Sequence, residues 1–151
     1  MSEGTFSRVD PSGERMYGPR GVVACGYPPG EHGPLIGLLA KVCGSDLAVR
    51  FAGEGAAEES LADLLALPHR WGEGLESSLR RALVLSGLTR KELHTLMAAY
   101  RSSGLPGQLW AVLTPTSEGW ALRDLLAELA RESEAVAKRE TSPSGGSDNP
   151  G

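Results

Sequence analysis

The feature that most narrows the fold is a spacing of 61 positions. Gly26 and Gly87 each close a short apolar run, and Asp63 and Asp124 each stand inside an Asp-Leu-Leu-Ala run; both pairs lie 61 positions apart. Between these anchors the same patterns recur in the same order. Leu35, Leu38, Leu39 and Val42 in the first half, and Leu93, Leu96, Met97 and Tyr100 in the second, both follow the i, i+3, i+4, i+7 spacing of one helix face. Apolar runs at 21–26, 47–52, 81–87 and 108–114 read as strands, with helices around 32–43, 60–67, 90–103 and 121–138. The chain is therefore expected to be two βαβα units, residues 21–67 and 81–129.

A βαβ unit needs parallel strands joined by a right-handed crossover, and alone it leaves a sheet edge and a sheet face bare. Joining two units in one sheet covers them. LAVRFA alternates, with Leu47, Val49 and Phe51 on one side and Ala48, Arg50 and Ala52 on the other, as a half-exposed edge strand does. The runs VVA and ALVL are continuously apolar and belong in the centre. An α/β domain follows, with a four-stranded sheet of order 2-1-3-4. An all-parallel, doubly wound sheet is favoured. The alternative sets the two units antiparallel, as in a ferredoxin-like split βαβ arrangement.

With 40% hydrophobic residues, the 151-residue chain can fill one core without disulfides or metal. Residues 21–138 form the expected domain. Residues 1–20 and 139–151, rich in Gly, Ser, Pro and charge, read as disordered tails. Two cysteines, no long apolar span and no signal-peptide core point to the cytoplasm. A net charge of −4 argues against nucleic-acid or anionic-membrane partners.

The stretch LTPTSEGWALRDLLAEL, residues 113–129, is the best candidate for a site. In Thr89-Arg-Lys-Glu92 the first and last residues form a capping box, and Ser60 is placed to cap the helix at 60–67. The position matching Ser60 is Ala121, which has no capping oxygen. Two readings follow. Trp120 staples the turn by packing on Leu125, or Thr114, Thr116, Ser117 and Trp120 surround unclaimed helix amides that receive an anion or a partner's carboxylate.

The same stretch carries a family resemblance. A strand ending in Gly87, a helix opening with Thr89, Glu92 and Leu93, and a strand running into Thr114, Pro115, Thr116 and Trp120 resemble the family known as domain of unknown function 3783, found in small bacterial proteins. Ser117 stands where the family usually has Asn, and Ala121 where it often has Thr or Ser. The resemblance spans about residues 81–131 and implies no activity.

Outside this stretch the chemistry is sparse. Cys25 sits at a strand end before Gly26, where open α/β sheets hold reactive groups, and it is the candidate thiol. Its counterpart is Ser86, so Cys25→Ser should be nearly silent. His32, His69 and His94 lack metal-ligand spacing and read as surface or capping residues, and Asp63 and Asp124 suit the first turns of their helices. The prolines of GYPPGEHG remove amides that a phosphate loop needs. The reading is a non-catalytic binding or regulatory module with no cofactor and no metal. A protein partner or self-association is left open. The alternative is a small enzyme or thiol redox protein acting near Cys25 and Gly26.

Overall fold

The computed structural model describes residues 15–141. Strand β1 (Gly21–Cys25) leads to helix α1 (Pro29–Cys43), strand β2 (Ala48–Ala52) and the short helix α2 (Leu61–Leu65). Strand β3 (Ala82–Ser86), helix α3 (Arg90–Ser102), strand β4 (Leu109–Val112) and helix α4 (Leu122–Thr141) follow. Single 3-10 turns at Glu54–Ala56 and Ser117–Gly119 precede α2 and α4. The local causes are those legible in the sequence. Ser60 Oγ accepts the Asp63 N–H to start α2. Thr89 Oγ1 accepts the Glu92 N–H while the Glu92 carboxylate accepts the Thr89 N–H, closing the capping box of α3.

The sheet runs β2-β1-β3-β4, the expected order. Its directions correct the favoured all-parallel arrangement: β1 and β2 are parallel, β3 and β4 are parallel, but β1 meets β3 antiparallel, with Val23 facing Val84. Both arrangements bury the same apolar runs, so composition cannot separate them. The helices can. From β1 and from β3 the chain crosses toward opposite edges, so right-handed crossovers place α1 and α3 on one face only if the two units point in opposite directions. Here α1 and α3 pack against each other.

Strand alternation then sends residues into two cores. Val22, Ala24, Leu83 and Leu85 pack with Leu35, Leu39, Leu96 and Tyr100 beneath α1 and α3. Val23, Cys25 and Val84 pack with Leu61, Leu64 and Leu122 beneath α2 and α4. The sheet is therefore covered on both faces.

Contacts across the β1–β3 junction come in pairs in which the two donors stand 61 positions apart and so do the two acceptors. The Leu61 N–H donates to the Trp120 carbonyl at 3.0 Å, and the Leu122 N–H donates to the Glu59 carbonyl at 2.9 Å. Arg20 pairs with Glu92, and Arg81 with Glu31. Gly26 and Gly87 have φ of 79° and 70°, and a Cβ on either would strike backbone of residues 79–81 or 18–20 respectively. Each glycine thus admits the segment that leads into the other unit's first strand.

The expected tail at 1–20 falls on residues 1–14, outside the described residues, and on 15–20, which lie against the domain. The Met16 N–H donates to the Leu88 carbonyl at 2.7 Å, and the Tyr17 carbonyl accepts the Gly87 N–H at 3.1 Å. At the other end α4 runs to Thr141, and residues 142–151 of the second expected tail lie outside the described residues.

Arg20 grips both carboxylate oxygens of Glu92, at 2.8 and 2.6 Å, and also binds Asp46 and the Cys43 carbonyl. The hydrogen bond from Arg20 holds the Glu92 carboxyl below the usual range. Stability from this pair is fully present above the ordinary carboxylate value of about 4.3 and is lost as pH falls through the lower folded value. Glu92→Gln keeps the capping geometry but not the charge. It should be less stable than wild type by roughly 1 kcal/mol at pH 7 and lose less on acidification to pH 3, as read from urea midpoints.

Candidate functional site at the outer edge of the sheet

The loop after β4 is locked by its own side chains. The Thr114 N–H donates to Ser117 Oγ and the Ser117 N–H donates to Thr114 Oγ1, both at 3.0 Å, and the Trp120 N–H donates to the Ser117 carbonyl. Ser117 is buried by this exchange, whereas Thr116 stays exposed and Trp120 is 36% exposed.

Behind Trp120 the amides that an anion would need are already taken. The Leu122 N–H binds the Glu59 carbonyl, the Arg123 N–H binds the Ala57 carbonyl, and the Asp124 and Leu125 N–H groups bind the Ala121 carbonyl. Backbone carbonyls of the first half thus substitute for the capping oxygen that Ala121 lacks. Within the loop, Thr114, Thr116, Ser117 and Trp120 share one wall of a cleft of about 360 Å³ with Leu125 and Glu128.

That cleft continues along the outer side of β4. Leu109 and Leu113 donate inward, to the carbonyls of Arg81 and Leu85, so the main chains of Trp110 and Val112 face outward. No described strand lies beyond them. A second cleft of about 450 Å³ extends the groove past Gln108, Leu109 and Trp110, with Leu129, Glu132 and Val136 of α4 opposite. The Gln108 amide nitrogen has no hydrogen-bond partner among the described residues. Glu128 and Glu132 are the charged residues lining the two clefts; no described Lys, Arg or His lines either.

The opposite edge of the sheet is closed. The Phe51 N–H donates to the Trp71 carbonyl at 2.8 Å, the Arg70 N–H to the Val49 carbonyl at 2.7 Å, and the Val49 N–H to His69 Nδ1 at 3.0 Å. This corrects the half-exposed edge expected for LAVRFA, because Val49, Phe51 and Ala52 are buried. Arg50 is buried as well, with Nε donating to the Leu67 carbonyl at 2.6 Å. The two edges differ because α2 ends after five residues and lets the chain return along β2, whereas α4 continues for twenty.

Cys25 has no exposed surface, and burial pushes its thiol up to about 12. Gly26 beside it is covered by the backbone of Leu79 and Arg81. His32 is not the surface or capping residue expected from its spacing. It stacks on Phe51 with ring centres 3.9 Å apart, Nδ1 accepts the Gly74 N–H, and Nε2 therefore donates to the Tyr27 carbonyl at 2.8 Å. The imidazole ties α1, β2 and the loop after α2 together; no local pattern marks it, because Phe51 and Gly74 lie far along the chain. Among the described residues no group of three His, Cys, Asp or Glu side chains could hold a metal ion, and no helix is long and apolar enough to cross a membrane.

These features define a three-layer α/β domain with a mixed four-stranded sheet, one edge covered by its own chain and the other opening on a groove. Residues 81–136 match the model of the family described as Domain of unknown function (DUF3783). The matched segment contains β3, α3, β4, the loop and most of α4, so nearly the whole groove is built from it. No curated protein and no solved structure matches the chain.

Three substitutions test the loop and the strand end by denaturant unfolding. Ser117→Ala should cost about 1 to 2 kcal/mol by leaving the Thr114 N–H unanswered, whereas Ala121→Ser should fall within about 0.5 kcal/mol of wild type because the amides it would cap are occupied. Cys25→Ser should cost about 1 to 3 kcal/mol, since a buried hydroxyl there needs a partner. That replaces the silent exchange expected from the sequence.

Proposed function

We propose that the chain is a duplicated βαβα domain and a non-catalytic, cytoplasmic binding module that receives an extended segment of another protein along β4. The observation that carries this reading is the difference between the two sheet edges. The outer main chain of β2 is bonded to residues 69–71 of the same chain, while the equivalent groups of Trp110 and Val112 face a groove. An added strand would use those groups for affinity and the walls of the groove for selection. Val49 and Phe51 stand 61 positions before Trp110 and Val112, and the junction bonds repeat the same spacing, which supports the duplication. Two buried, unbridged thiols suit a reducing compartment.

Amide shifts in the full-length ¹⁵N-labelled chain test the reading. A capped heptapeptide alternating Thr and Val, added to on the order of 1 mM, should move Trp110 and Val112. Val112→Pro, which removes an outward N–H that the sheet does not use, should abolish the effect while leaving the unfolding midpoint nearly unchanged. If both amides stay still at that concentration, the binding reading fails.

A further inference from the structure

We infer that the segment taken by the β4 edge carries a cationic side chain flanked at alternate positions by apolar ones; this rests on the binding reading above. The specificity comes from the stripe that α4 turns toward the groove. Leu125, Leu129, Glu132 and Val136 follow a spacing of 4, 3 and 4 residues and all line it, and Glu128 stands one turn before Glu132. A carboxylate therefore interrupts an apolar strip. Glu128 is paired with Arg131, an exposed neighbour on the same helix, whereas Glu132 has no ion pair among the described residues.

An extended chain lying beside β4 sends every second side chain toward α4, at intervals of roughly 6.6 Å. Along the helix axis Leu129, Glu132 and Val136 are about 4.5 and 6 Å apart. Successive α4-facing side chains of the guest thus meet Leu129, Glu132 and Val136 in turn, and the fitting order is apolar, cationic, apolar. Arg131 offsets Glu128, but no described Lys, Arg or His lines the groove to offset Glu132, so a guest with an acidic middle residue is disfavoured.

A second copy of this chain fits less well. Pairing β4 with β4 would bring two sets of Glu128 and Glu132 toward each other in a chain of net charge −4. Like charges facing across an interface oppose that docking.

Three capped heptapeptides serve as probes on the full-length chain: Thr-Val-Thr-Lys-Thr-Val-Thr, and the same peptide with Ser or Glu in place of Lys. By titration of the Trp110 and Val112 amide shifts at low salt, the lysine peptide should bind at least about threefold tighter than the serine peptide and the glutamate peptide weakest. Glu132→Gln should erase the lysine preference, and Glu132→Lys should transfer it to glutamate. Equal binding of all three peptides, or a lysine preference that survives Glu132→Gln, overturns this inference and leaves the binding reading standing. Failure of all three to move either amide overturns both. Trp110 and Val112 amides already protected from exchange in the peptide-free chain would also overturn it, because the edge would then be covered; protection that grows with protein concentration would identify a second copy, and protection independent of concentration the chain's own residues.

Discussion

The antiparallel contact between β1 and β3 is the constraint on which the remaining structure depends. It places Val23 against Val84 and turns the two units over relative to each other, so that α1 and α3 share one face. It also brings the start of α2 to the start of α4, where Leu61 and Leu122 each donate to a carbonyl of the opposite half. A helix start is normally a place of unsatisfied donors, and here two starts satisfy each other without capping side chains at both. The clasps Arg20–Glu92 and Arg81–Glu31 fasten the same junction from the other face. Neither half can complete its helix starts, its lead-in segments or its charge pairs alone.

The same junction determines what remains open. Once β1 and β3 occupy the centre, β2 and β4 are the two edges, and each has outward main-chain groups that water or another chain must satisfy. At β2 the return of the chain after α2 supplies residues 69–71, and His32 anchors the following loop through the Gly74 amide. At β4 the continuing helix α4 lies alongside instead, and it forms a groove rather than a cover. The proposed function follows from that difference in helix length, because a long α4 replaces a self-contact with a surface bearing Leu129, Glu132 and Val136.

Much of the fold was legible because period-2 and period-3.6 patterns and capping residues act over a few positions. Element order, the central placement of β1 and β3, and the capping box of Thr89 and Glu92 all come from such local signals. The candidate loop was legible in part. Thr114, Thr116, Ser117 and Trp120 do line one cleft, but the missing cap at Ala121 marked no vacant amide, since the compensating carbonyls of Ala57 and Glu59 are more than 60 positions away. Arg20 and Arg81 stand at matched positions, as do Glu31 and Glu92, and this was the available signal that residues 15–20 lie against the rest of the fold.

By itself, then, the sequence determined which segments are strands and helices and which strands are central, because each depends on neighbours within a turn or a strand. Only the tertiary structure decided that the two units run antiparallel, that Cys25 and His32 are sealed inside, and that one sheet edge is closed while the other borders a groove. Those outcomes depend on where a segment lands after the chain has crossed the sheet. Two arrangements that bury the same apolar residues are equivalent in composition and differ only in three dimensions.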